Sequence, residues 1–164
     1  HPDDDTIEFA LRQAAMITGM PQDPEQRREV LGTFIDAIGN DEIAARLSRS
    51  AYEGLDLDEL EVLREWPVLK QLDGTLIRGR LDRLVVGRRK GEVVLAEIVD
   101  FKSGPVGEDE SELVDYYRPQ LAFYSDVVEA HFKLDPGIVT SRLLFIDACR
   151  DLPCTPCQAS PSSS

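Results

Sequence analysis

The sequence predicts an α/β fold: a mixed sheet flanked by helices and preceded by an N-terminal helical segment. Three observations predict it. Apolar residues recur at helical spacing through the first 63 positions. From Leu63 the rhythm changes to three dense Val, Ile and Leu runs broken by Asp73-Gly74 and Lys90-Gly91. A second helical stretch then leads to one more apolar run, the order of a hairpin sheet with a crossover helix.

The elements follow in chain order. Ile7, Ala10, Leu11, Ala14 and Ala15 form the stripe of a packed helix that Gly19 and Pro21 stop. Asp23-Pro24 starts a second helix, with Asp as N-cap and Pro at the first position. Val30, Leu31, Phe34, Ile35 and Ile38 are its expected buried face, and Gly39-Asn40 closes it. A short third helix is expected from Asp41 to about Ser48. Strands are expected over 65–72, 75–86 and 92–101, consecutive and antiparallel. An acidic loop, 104–112, precedes a helix from Pro119 to about His131, and 141–147 is the last strand. The domain boundaries that result are a helical part over 1–63, a core over 64–152 and a disordered tail over 153–164.

The chain has 164 residues, 42% hydrophobic and 30% charged, enough for one domain with a core. No apolar run approaches the ~20 residues that cross a bilayer, and no membrane partner is expected. Net charge is −13, which by itself argues against nucleic acid. The imbalance is uneven, however. From Arg64 to Lys102 nine basic residues meet six acidic ones, a local +3 against −16 for the remainder. Such a basic middle is compatible with a phosphate site or with a merely solvated surface. Three cysteines, Cys149, Cys154 and Cys157, are too few and too crowded for a disulfide framework and read as structural or tail thiols in a reducing interior.

Two carboxylates and a lysine carry chemistry. Asp82 lies inside the second expected strand, and Asp100 and Lys102 end the third, two apart and therefore on one face. If those strands pair, Asp82 meets the other two across the ladder. Carboxylates gathered in this way repel and call for a cation. An oxygen-only set without Cys or His suits Mg²⁺ or Mn²⁺. Lys102 would then stand beside a phosphate oxygen or a bound water. Asp-x-Lys alone is a weak pattern, and its bland reading is strand-end acids paired with nearby cations.

Four segments together resemble a known family. They are Glu65-Trp-Pro-Val, Ile77-Arg-Gly-Arg-Leu-Asp82-Arg-Leu-Val-Val, Val99-Asp100-Phe-Lys102-Ser-Gly104 and Gln120-Leu-Ala-Phe-Tyr124. In this order they resemble the PD-(D/E)xK nuclease domain of the RecB/AddA type, the C-terminal domain of UvrD-like helicases in exonuclease V. The resemblance implies a restriction-endonuclease-like fold. It implies that Asp82, Asp100 and the Phe101 carbonyl bind Mg²⁺ or Mn²⁺ and that Lys102 is the catalytic lysine. It places Gln120, Tyr124 and Arg80 on the DNA side, with Glu65 as a supporting acid. The implied reaction is hydrolysis of DNA phosphodiester bonds during double-strand break processing and recombinational repair. The implied partners are DNA, helicase domains of the same polypeptide (through which alone ATP would act) and a second helicase-nuclease subunit, in the bacterial cytoplasm at the nucleoid.

One departure matters. The family places a metal-binding His on an upstream helix, whereas the histidines here are His1, which lacks that context, and His131, which follows the metal motif. The expectation is that the chain is a piece of a larger polypeptide, binding metal weakly and cutting poorly alone. The cysteine spacing also departs from that of iron–sulfur relatives, so no cluster is expected. The alternative function is a catalytically incomplete domain of this fold that docks DNA or assembles subunits. His131 and Trp66 are expected to be packing residues.

Overall fold

A computed structural model describes residues 23–72, 74–107, 109–135 and 137–154. The helix expected over residues 6–18 and Cys157 lie outside the described residues.

Two helices come first, α1 (Pro24–Gly39) and α2 (Asp41–Leu47), then a 3-10 turn (Arg49–Tyr52). Asp23 caps α1 as expected, its carboxylate accepting from the Glu25 and Gln26 amides. Asn40 closes α1 and caps α2, accepting from the Glu42 and Ile43 amides. Of the face expected to be buried on α1, Ile35 is instead exposed, and it is Ala37 that is fully buried. The side chains of Val30, Leu31, Phe34 and Ile38 lie outside the description.

The sheet has five strands in the order β1 (Glu59–Leu72), β2 (Thr75–Arg89), β3 (Glu92–Lys102), β4 (Val139–Phe145), β5 (Arg150–Cys154). The first three form the expected antiparallel meander. Gly74 takes φ 79° where Leu72 pairs with Thr75. Lys90 and Gly91 both have positive φ between the paired Arg89 and Glu92, as a primed two-residue hairpin turn requires. A long helix, α3 (Glu110–Phe132), crosses from β3 to the parallel β4, and β5 returns antiparallel.

Three boundaries differ from expectation. Strand β1 starts at Glu59, so 59–63 are not helical; Glu59-Leu-Glu-Val-Leu alternates polar and apolar, and that period of two prevails over the helical reading. The helix α3 starts at Glu110, and Pro119 lies inside it. Asp109 nucleates that start by accepting from the Ser111 and Glu112 amides at 3.0 and 3.2 Å. The one hydrogen bond that Pro119 forfeits is outweighed by 23 residues of packed helix. Finally, Cys154, expected in the tail, is buried in β5, where its carbonyl accepts from Ser141 Oγ at 3.2 Å.

Helix α3 covers one face of the sheet: Leu121, Tyr124 and Val128 pack on Leu84, Val86, Ile98, Leu143 and Phe145. Trp66 packs at the edge of this core, edge-on to His131 and stacked on Phe132. The ring of His131 is itself exposed. The opposite face carries α2 through Ile43, Val99 and Leu144. It also holds a polar network. Buried Glu97 accepts from Tyr52 Oη and from Arg142 Nε (2.9 Å), and Arg142 and Arg46 share Asp151 Oδ2. Burial, with the Glu97 carboxylate beside it, pushes the Tyr52 phenol well above its usual range.

Candidate active site

The site forms where the meander stops being one sheet. The β2–β3 ladder ends at Arg83–Val99, so the next level outward sets Asp82 beside Asp100. On the other side, Arg64–Arg83 and Trp66–Leu81 are paired, while Glu65 and Asp82, level between them, are not. Glu65 has φ 51°, and here both strands change face. Leu63 and Trp66 lie three apart, as do Leu81 and Leu84, yet all four belong to the core under α3. Regular alternation would have separated them. From this point β1 and β2 run on together, while β3 pairs only with β4.

Asp82 holds the fork. Its Oδ2 accepts from the Phe101 amide at 2.8 Å, a donor that β2 no longer satisfies. Burial holds the Asp82 carboxyl above its ordinary range; the Phe101 amide opposes this, while Asp100 and Glu65 add to it. Asp100 is 2% exposed. Its Oδ2 forms an ion pair with Lys102 Nζ but has no aligned hydrogen bond. Burial raises this carboxyl too, against the opposing pull of Lys102.

Gln120 ties the group together from α3. Its Oε1 accepts from Lys102 Nζ at 3.1 Å, and its Nε2 lies 3.4 Å from Asp100 Oδ1 and 3.1 Å from Tyr124 Oη. Residues 120 and 124 are one turn apart on the same face, which makes this chain of contacts possible. Tyr124 is only 7% exposed, so its ring belongs to the core and reaches the site through its hydroxyl. A Cβ at Gly79 would stand 3.0 Å from the Tyr124 ring and from Val68, so the close approach of strand and tyrosine depends on that glycine.

The structure thus brings together Asp82, Asp100, Phe101, Lys102, Gln120 and Tyr124. Phe101 enters by its amide. Arg80 and Glu65 are exposed and pair with each other at 3.0 Å beside the fork. His131 lies eleven residues beyond Gln120 on α3, about 16 Å along the axis, and is not part of the group. Two site residues escaped the sequence reading. Tyr117 places its ring under Lys102 Nζ, 4.5 Å from the centroid, and Gly79 gives Tyr124 its room. Tyr117 stands three residues before Gln120, a legible helical signal once α3 is known to begin at Glu110.

Among the described residues, no three His, Cys, Asp or Glu side chains gather closely enough to hold a metal. Two acids do stand level on neighbouring strands, both with carboxyls raised by burial, and Asp100 Oδ2 is met by Lys102 Nζ. That donor set fits a hard cation that fills its remaining positions with water and phosphate oxygens.

Residues 5–153, nearly the whole chain, match the family model of the PD-(D/E)XK nuclease superfamily. No curated protein sequence matches the chain.

Proposed function

The chain belongs to the PD-(D/E)XK nuclease superfamily, and on that premise we propose that it is a metal-dependent deoxyribonuclease domain that hydrolyses DNA phosphodiester bonds at the Asp82–Asp100–Lys102 fork. The observation that carries the reading is the Lys102 ammonium, held between Asp100 and Gln120 Oε1 with Asp82 one strand away. Asp82, Asp100 and the Phe101 carbonyl are the proposed ligands of Mg²⁺ or Mn²⁺. The bound ion would lower the pKa of the attacking water and neutralise phosphate charge.

The chain's own residues do the rest. Gln120 donates toward Asp100 and Tyr124 while accepting from Lys102, so its amide has one orientation and the ammonium one position. Tyr117 supports the same ammonium from beneath. Lys102 would there meet the negative charge that grows on the phosphoryl oxygens as water attacks. Arg80, exposed at the mouth of the fork, is placed to meet the DNA backbone. Within the same proposal the domain acts beside an ATP-driven helicase and a second subunit in double-strand break repair.

The test is degradation of linear DNA with Mg²⁺ or Mn²⁺ by the wild-type chain and two variants. Lys102→Ala should slow it about 10²–10³-fold, the usual cost of a lost preorganised charge. Asp100→Ala should cost at least as much. Undiminished degradation by either variant refutes the assignment. A two-carboxylate shell favours the second reading, a domain that docks DNA without cutting it. That reading predicts DNA binding but no cleavage by the wild type under any divalent ion.

A further inference from the structure

We propose that Tyr116 is a stacking platform for an unpaired nucleobase of the DNA strand entering the fork. The inference rests on the nuclease reading above and names the form of DNA the site receives.

Tyr116 is 76% exposed, the most exposed large hydrophobic side chain among the described residues. Its place gives that exposure meaning. Residues 116, 120 and 124 occupy one row of α3, so Tyr116 stands one turn before Gln120 on the face that carries the site. The ring is also braced. It meets Tyr117 edge-on, with centroids 4.9 Å apart and planes at 88°. Tyr117 in turn packs on buried Phe145 and lies under Lys102 Nζ. Tyr116 is therefore one ring away from the ammonium proposed to meet the scissile phosphate. A braced aromatic surface costs little further ordering when a ligand lands on it.

Charge decides which part of the ligand lands there. Glu112 precedes Tyr116 by one turn, and Asp115 is adjacent, paired with Arg118 at 2.5 Å. The Glu112 carboxylate repels phosphate from the ring, while Lys102 together with the proposed metal attracts it to the fork. A nucleotide therefore orients with its phosphate toward Lys102 and its uncharged base on the Tyr116 face. In duplex DNA both faces of an internal base are already stacked, so only a single strand or a frayed end can fill this position.

Binding of a fluorescently labelled oligo-dT and of the same strand carrying abasic positions tests this, in Ca²⁺, which takes the same oxygen ligands, with the strand recovered and checked to be uncut. Oligo-dT should bind the wild type, and Tyr116→Ala should weaken it about 5- to 150-fold. Tyr116→Phe and Tyr116→Trp should keep wild-type affinity, because they preserve the ring. The abasic strand should bind the wild type as weakly as oligo-dT binds Tyr116→Ala. Equal binding of oligo-dT by wild type and Tyr116→Ala overturns the inference, as does an abasic strand bound as tightly as a normal one. A wild type that binds no single strand overturns it too. Cleavage is not asked, so a wild type that binds oligo-dT but leaves DNA intact under every divalent ion refutes the nuclease reading alone.

Discussion

Gly79→Ala places one methyl group where the structure has no room for it. The added Cβ would stand 3.0 Å from Tyr124 Cε1, 3.0 Å from Val68 Cγ2 and 3.4 Å from Tyr124 Oη. Ordinary carbon contacts lie at about 3.5–4.0 Å, so about half an ångström must be found on two sides at once. Val68 is 2% exposed, so neither neighbour can retreat into solvent. Overpacking of this kind costs about 1–3 kcal/mol. Replacing glycine returns about 0.4–1 kcal/mol by restricting the unfolded chain. The net loss is up to about 2.6 kcal/mol, or a melting temperature lower by up to roughly 10 °C for a chain of this size. A second effect reaches the site: a displaced Tyr124 hydroxyl leaves the 3.1 Å contact with Gln120 Nε2 and frees the amide that positions Lys102. Urea denaturation and DNA cleavage should therefore fall together. The decisive control is Val68→Ala, which vacates one side. In that background Gly79→Ala should cost much less, a coupling that a double-mutant cycle reads directly. Additive losses, or a Gly79→Ala protein as stable and active as wild type, would refute the reasoning.

Three further outcomes follow from the same geometry. Asp82 and Asp100 have pKa values raised by folding. Their contribution to stability is intact below the unfolded carboxyl pKa of about 3.9 and is lost as pH rises through the higher folded values. In EDTA, Asp82→Asn should therefore melt higher than wild type by on the order of a few degrees at neutral pH. The gap should close below about pH 4, and a gap that widens in acid refutes the assigned sign. Mn²⁺ at a hundred times its dissociation constant should stabilise the wild type by about 2.7 kcal/mol and leave Asp82→Asn nearly unmoved; equal metal-induced shifts in thermal melts would remove Asp82 from the ligand set. On the opposite face of the sheet, Glu97→Ala leaves the Tyr52 hydroxyl without its acceptor and Arg142 with Asp151, and should cost about 1–3 kcal/mol. An unchanged urea midpoint would show that Glu97 does not fasten the 3-10 turn to the sheet.

The meander was legible because its signals are local. Two X-Gly turns and dense β-branched runs fixed three strands, and the spacing of Asp100, Lys102, Gln120 and Tyr124 placed most of the site. What stayed hidden depends on features without local periodicity. Strand β5 is five residues with a proline and two charges, Arg150-Asp-Leu-Pro-Cys154, and it is held by pairing with β4 rather than by its own pattern. The start of α3 was masked because its first turns are acidic and face solvent, while Pro119 offers a more familiar helix beginning. The Asp109-Glu-Ser-Glu112 capping pattern was present and outranked it. That single misplacement left Tyr116 and Tyr117 between the expected loop and helix, assigned to neither. Tyr124 shows the opposite error. Its spacing from Gln120 is right, but spacing cannot tell a residue that lines a site from one buried beneath it.

The change of strand face at Glu65 and Asp82 ties fold to chemistry more closely than any single contact. A regular three-stranded sheet would satisfy the Phe101 amide across the ladder and leave Asp82 to alternate with its neighbours. Because the ladder stops at Arg83–Val99, the Phe101 amide needs another acceptor, and the Asp82 carboxylate supplies it. The same interruption sets half-buried Asp82 level with buried Asp100, without a strand hydrogen bond between them. One carboxylate thus closes the backbone at the fork and faces the proposed metal position. Asp82→Asn, which keeps an oxygen for the Phe101 amide, therefore separates the electrostatic role from the structural one. Asp82→Ala removes both, leaving the Phe101 amide without its carboxylate acceptor. The repulsion that a metal-free domain bears at this point is the affinity that a bound cation would gain.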